Sequence, residues 1–466
     1  MAIRTRTKLA VVTMVAGLVT AQPAFAQQQE GSGAVPPPVD LSRPLVNDTQ
    51  APPPNVTYEK KSQCIGTLND GGVILPNKPW GQQRLRIEEA QRFATGKGQV
   101  VAVIDTGVRA HQFMRDRVIK GPDYVNKQTP DALEDCDGHG TEVAGIIAGR
   151  SPDLSQVGFT GVAPDAKILA IRQSSERYKG TRTDVPNAQE ETAGDLNTLA
   201  QAIRHAADDP QVTVINMSVD NCRLSTEPIN GPERDLQRML HYAVEKNKVV
   251  VTSAGNKGTT TCQDPSNGRD PNKPTYIITP PWFSGDVLSV AAMDRPGNLA
   301  DFSMQGPWVS VAGPGTEIIS LDPAGTLANL TVDQGKSIPI QGTSFAAPYV
   351  AGLAALVRER FPNLSAREVM NRIKITAQHP SAPGGRDPMV GYGMINPVAA
   401  LTAMIPAESK ISPDKAVSVP LNMPPTHQRD WTAMNVALIG TGSGIGLLLL
   451  TLFIMHAVRR NKKTTT

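Results

Sequence analysis

Five short runs of this chain are dominated by apolar residues: 100–104, 166–171, 212–217, 249–253 and 287–291. A strand that is apolar on both faces has to be covered on both, and this is the situation of a parallel sheet between two helical layers. Stretches with helical spacing fall between and around these runs, at 86–93, 142–148, 194–207, 234–246, 344–361 and 366–376. Alternation of this kind predicts an α/β fold of three layers with a mostly parallel central sheet. Ligands in such sheets sit beyond the carboxyl ends of the strands. Asp105, Ser218 and Asn256 all lie just past predicted strand ends.

Chemistry-bearing residues gather at the same places. Asp105-Thr106-Gly107 closes the first strand, Gly138-His139-Gly140-Thr141 opens a helix, and Gly342-Thr343-Ser344 opens another. An acid, an imidazole and a hydroxyl in the order Asp, His, Ser form one of three unrelated orders known for the same hydrolytic geometry. Asn256, in Ser253-Ala254-Gly255-Asn256, adds a side-chain amide. Singly, each has a plain explanation: a turn, a loop histidine, a helix cap, a turn asparagine. Together, at positions the architecture brings to one sheet edge, they predict a nucleophile (Ser344), its base (His139), an orienting acid (Asp105) and an oxyanion donor (Asn256). The small-residue stretch after Ser344 predicts a helix packed closely on the sheet. Pro348 is expected in its first turn, where a missing N–H costs little.

The charge balance argues against nucleic-acid binding. The formal net charge is +3, but Arg4, Arg6, Lys8, Arg459, Arg460, Lys462 and Lys463 lie at the two ends. Removing these seven from the 46 basic residues leaves 39 against 43 acidic ones. No basic patch requires a polyanionic partner.

The ends themselves read as targeting segments. Residues 1–26 have a basic start, an apolar stretch and small residues at Ala24 and Ala26, which predicts a cleaved secretory signal over an uncleaved anchor. Residues 27–79 are rich in Pro, Gly and Gln and are expected to be an extended arm wrapping the domain at 80–401. A Pro-spaced linker follows at 402–432. Residues 433–458 contain an uncharged run long enough for about 30 Å of hydrocarbon, with a basic tail at 459–466. A transmembrane helix is favoured over a buried soluble one, with the tail cytoplasmic and the domain outside by the positive-inside rule.

Cys64, Cys136, Cys222 and Cys262 form an even set in an exported segment, so disulfides are expected, with three pairings open. Zinc is the rival reading, but no Cys-x-x-Cys or His pair supports it. No cofactor and no metal are predicted, and no dense carboxylate loop suggests calcium.

From about Trp80 to Leu401 the chain resembles the subtilisin-like serine proteases, with Asp105, His139 and Ser344 in place of the triad and Asn256 of the oxyanion amide. The resemblance implies that Ser218, Val219, Asp220 and Gly255 contact substrate, and that the segment 216–218 pairs with an extended peptide. Val219-Asp220-Asn221 stands where many members have small glycines. Asp220 is expected to narrow the first specificity pocket or to disfavour acidic side chains. The whole layout resembles the mycosins, the membrane-anchored proteases of mycobacterial type VII secretion systems. That implies cleavage of exported proteins, association with a secretion membrane complex, a periplasmic domain, and pairings Cys64–Cys136 and Cys222–Cys262. The alternative is a mainly structural role in that complex.

Overall fold

The computed structural model describes residues 33–65, 75–258, 261–268, 270–325, 327–333, 336–408 and 432–462. The expected signal segment and most of the expected linker lie outside them.

Seven strands form the central sheet: β1 (Val100–Asp105), β2 (Val118–Asp123), β3 (Lys167–Arg172), β4 (Val212–Met217), β5 (Val249–Ser253), β6 (Leu288–Met293) and β7 (Val311–Pro314). Their spatial order is β7-β6-β5-β4-β1-β3-β2, and every pairing is parallel. β1 therefore lies where the strand order reverses, between β3 and β4, and its carboxyl end opens on the crevice such sheets use for ligands. β1 is buried along its whole length, as an inner parallel strand must be.

Helices α1 (His139–Ala148) and α4 (Thr343–Arg360) cover one face, and α5 (Ala366–Ile375) packs on α4. On the other face lie α2 (Leu196–Asp208) and α3 (Gly231–Glu245), in contact with each other. Asp195 and Asn230 cap α2 and α3 through reciprocal capping boxes. α4 is apolar on nearly all sides and is buried from Thr343 to Arg358. Such a helix belongs in the interior, not on an amphipathic surface.

Two strands of this sheet went unforeseen, and both are at its edges. β2 contains Gly121-Pro122, and β7 ends in Gly313-Pro314, residues that edge strands tolerate and inner strands do not. The predicted helix at 86–93 is instead two short helices, Trp80–Arg84 and Ile87–Ala90, parted by Arg86 in the left-handed region.

The polar stretch 173–193 contains a strand pair, Ser175–Thr181 with Glu190–Ala193. The arm strand Glu59–Lys60 joins its free edge, antiparallel to Tyr178 and Lys179. Upstream, the arm crosses α3 through the Arg43–Asp235 ion pair (2.8 Å) and α2 through Asp48, which accepts from Tyr124 Oη (2.7 Å) and pairs with His205 Nδ1 (3.0 Å). Cys64 is bonded to Cys136 and Cys222 to Cys262, the pairings implied by the mycosin resemblance.

The segment from Ser409 onward is a separate unit. Its helix α6 (Thr432–Lys462) carries a 25-residue stretch, Met434–Val458, of mean hydropathy 2.1, long and apolar enough to cross a membrane.

Candidate active site

Asp105, the last residue of β1, is 1% exposed. Its Oδ1 accepts from the Thr106 N–H (2.8 Å) and meets His139 Nδ1 at 2.7 Å. A carboxylate only accepts, so Nδ1 carries the proton and Nε2 is left as the acceptor. Nε2 faces Ser344 Oγ at 3.0 Å. Ser344 is the second residue of α4, at the helix end where the dipole favours developing negative charge. Residues separated by 205 positions in sequence thus form one hydrogen-bonded line.

The glycines of the two motifs explain how the first two members approach. A Cβ on Gly140 would stand 1.9 Å from the Gly107 carbonyl oxygen, and one on Gly107 would stand 2.2 Å from that of Glu134. The Asp and His loops meet through bare backbone, so neither glycine tolerates a side chain.

Asp135, which the sequence reading passed over, joins the two loops. Its Oδ1 accepts from Thr106 Oγ1 (2.9 Å) and the Gly138 N–H (2.8 Å), and its Oδ2 from Thr141 N–H (2.8 Å) and Oγ1 (2.6 Å). Thr106 Oγ1 in turn accepts from the Gly140 N–H (2.9 Å). An aspartate four residues before the histidine, at the start of a helix, was the available signal.

Asn256 follows β5, and its Oδ1 accepts from both the N–H and the hydroxyl of Thr343 at 3.0 Å. This turns its Nδ2 toward the nucleophile: a Cβ built on Gly342 would lie 3.0 Å from Ser344 Oγ and 3.8 Å from Asn256 Nδ2. Pro348 is the sixth residue of α4, not a first-turn residue. Its missing N–H leaves the Ser344 carbonyl without the usual helical donor. The Ser218 hydroxyl donates to that carbonyl instead (3.1 Å) and accepts from Asn216 Nδ2 (3.2 Å).

Asp105, His139 and Ser218 line a cleft of about 420 Å³, together with, among others, Val219, Asp220, Glu176 and the arm residue Ile65. Gly255 lies beside Asp220 at its edge. The Asp137 carboxylate in the lining holds the cleft-side strand, accepting from Ser175 Oγ (2.5 Å) and the Glu176 N–H (3.0 Å). Burial pushes its pKa up to about 6. For His139 burial works against the charge, but the adjacent Asp105 carboxylate outweighs it and pushes the pKa up to about 9. Glu142, one turn beyond His139 on α1, is 1% exposed, and burial raises its pKa well above the usual range. Neither of its carboxyl oxygens has a hydrogen-bond partner among the described residues.

The chemistry open to this arrangement is acyl transfer: a hydroxyl, a base in the correct tautomer, a buried acid and an amide donor converge on one point. Among the described residues one cysteine-carboxylate cluster has metal-ligand spacing, Cys64, Glu134 and Cys136, and its two sulfurs are joined in a disulfide.

The subtilase family profile matches residues 96–393, which contain all four converging residues. Mycosin-1 of Mycobacterium tuberculosis is 39% identical over 458 residues, spanning 94% of this chain and 97% of its own length. The chain is a subtilase of the mycosin family. It is a subtilisin-like serine protease by fold and by kinship. The structure of the MycP3 protease from the type VII (ESX-3) secretion system superposes with a TM-score of 0.69 at 37% identity, covering 79% of this mycosin and all of that chain. A chain of the intact ESX-5 inner membrane complex superposes at 0.67 with 34% identity, covering 90% of this mycosin and all of that chain.

Proposed function

We propose that Ser344 is the nucleophile of an endopeptidase, with His139 as general base and acid, Asp105 as the group that orients and supports its imidazolium, and the Asn256 amide with the Ser344 N–H as the oxyanion hole. The Ser344 Oγ–His139 Nε2–Asp105 contact line carries this reading. Attack of Oγ on the scissile carbonyl passes its proton to Nε2, and the imidazolium then gives that proton to the leaving amine. Water repeats the cycle on the acyl-enzyme. Residues 216–218 and the cleft-side strand at 175–177 would hold the peptide extended, with Val219, Asp220 and Gly255 around its first side chain. No cofactor takes part in this scheme.

In this reading residues 1–26 are a signal peptide, 27–79 an arm held to the domain, 80–401 the peptidase and 402–432 the linker. The span at 433–458 anchors the protein by one helix, with the catalytic domain on the extracytoplasmic side and the basic tail 459–466 in the cytoplasm. The substrates are exported proteins, met at a type VII secretion membrane complex. A second reading, in which the domain mainly stabilises that complex, is favoured by the relative that is itself part of an ESX-5 inner membrane complex. A Ser344→Ala strain separates the two. Export that persists in this strain but stops on deletion makes the structural role primary. Export that stops in both makes proteolysis primary, and failure of a fluorophosphonate to label Ser344 in the wild type removes the catalytic assignment.

A further inference from the structure

Five carboxylates line the cleft: Asp105, Asp137, Glu176, Asp195 and Asp220. Asp105 serves His139, Asp137 binds the cleft-side strand, and Asp195 caps α2 by accepting from the Thr198 N–H (2.8 Å). Asp220 has neither a hydrogen-bond donor nor an ion-pair partner among the described residues, and charged neighbours contribute nothing to its titration. Apart from His139, which is held by Asp105, the cationic side chain among the described lining residues is Arg177, and it lies 3.9 Å from Asp137.

The position of Asp220 is set from both sides. Two residues upstream, Ser218 is tied to the Ser344 carbonyl. Immediately downstream, Asn221–Leu224 pairs antiparallel with Tyr276–Thr279, and Cys222 is bonded to Cys262. Between these anchors the carboxylate lies across Gly255: a Cβ there would be 3.4 Å from Asp220 Oδ2 and 3.0 Å from both Cδ1 and Cγ2 of Ile278. Gly255 immediately precedes Asn256, so the free carboxylate stands in the wall next to the proposed oxyanion amide.

We propose that Asp220 makes this protease select a lysine or arginine at the residue whose carbonyl is cleaved. The proposal rests on Ser344 being the nucleophile and adds the substrate class. A large apolar side chain entering beside Gly255 strips water from the carboxylate and offers no partner in return, which is the costly way to bury a charge. A glutamate or aspartate side chain is repelled outright. A short side chain leaves the carboxylate hydrated and gains nothing. An ammonium or guanidinium supplies the missing counter-charge, with a guanidinium able to bind both oxygens. The carboxyl is open to the cleft, yet the surrounding wall restricts its hydration enough to push its pKa up to about 6. At neutral pH it is therefore mostly ionised, and a bound cation relieves the cost of that ionisation.

The test uses the full-length protein in detergent with fluorogenic peptides that differ only in the residue before the scissile bond: Ala, Leu, Phe, Glu, Lys or Arg. Fluorophosphonate titration counts the active sites of each preparation. The expected kcat/KM for Arg or Lys exceeds that for Leu at least tenfold, with Glu weakest. Asp220→Asn, equal in size but uncharged, brings the Arg-to-Leu ratio down at least tenfold. Asp220→Gly raises Leu and Phe relative to Arg. A wild-type ranking led by Leu, Phe or Ala overturns the proposal, as does an Arg-to-Leu ratio that Asp220→Asn leaves unchanged. Labelled enzyme with such a ranking sinks this proposal alone, whereas absence of labelling at Ser344 sinks the nucleophile assignment as well.

Discussion

The hydroxyl of Ser218 donates to the carbonyl oxygen of Ser344 at 3.1 Å, making the bond that Pro348 cannot make from within the helix. One polar side chain at the end of β4 thereby completes the first turns of the helix that carries the nucleophile. Ser218→Ala is expected to cost about 1 kcal/mol, the net worth of a typical buried hydrogen bond, and to lower kcat by loosening Ser344. Pro348→Ala supplies an N–H to the same carbonyl. Chemical denaturation of the two single variants and the double variant should therefore give a combined loss smaller than the sum, which an independent pair would not show.

The His139–Asp105 contact predicts an alkaline enzyme. A protonated imidazole is no base, so kcat/KM should climb as pH rises toward about 9, where His139 loses its proton. Asp105→Asn removes the charge that holds the pKa up and leaves burial to push it down. The acidic limb should then move to lower pH while the plateau falls by about 10⁴, as loss of the triad acid does in trypsin-like enzymes. A pH profile whose limb stays in place would contradict the assignment.

Asn256→Ala should lower kcat by about 10²–10³ with KM little changed, the magnitude found for the corresponding amide in subtilisin. Because Oδ1 also holds Thr343, thermal melting has to accompany the kinetics to separate lost stabilisation of the oxyanion from a loosened helix start.

Glu142 should make stability depend on pH in a direction opposite to most acids. Its folded pKa is raised, so the folded state keeps a proton that the unfolded chain releases above about 4.3. The unfolded state then binds fewer protons, and stability falls with rising pH by up to about 1.4 kcal/mol per unit until the folded group ionises. Glu142→Gln removes this slope. Denaturation curves between pH 5 and 8 should be flatter for the variant, and equal slopes would show that Glu142 is ionised in the fold.

Asp135→Ala deprives two loops of their common acceptor and leaves the donors of Thr106, Gly138 and Thr141 unpaired. Each buried donor left so costs about 1–3 kcal/mol. The variant should melt well below the wild type and lose activity with no contact to substrate. Asp135→Asn, which keeps acceptor Oδ1, should recover part of both.

The inner strands were legible because apolar residues on both faces leave few alternatives. β4 and β5 begin and end where residues 212–217 and 249–253 indicated. β2 and β7 were hidden by Gly and Pro, which an edge position makes harmless. The stretch 173–193 is polar, but its first strand buries Ser175, Tyr178 and Gly180 in an uneven alternation, a pattern too weak to read beside so many charged residues. At the active site, the converging side chains were visible from their motifs; Asp135 offered only its place ahead of a helix start, and Glu142 offered nothing, since its role comes from burial that only the packed structure creates. Pro348 lies past the first turn because a helix opening at 344 already makes it the fifth residue, and the observed start at Thr343 makes it the sixth.

The enclosure of α4 carries a last consequence. A nucleophile mounted on a rod wrapped by the sheet and by α1 cannot fray, tilt or melt without its surroundings. Heat should thus leave no half-working species: catalytic death and cooperative collapse of the whole domain ought to share a single midpoint.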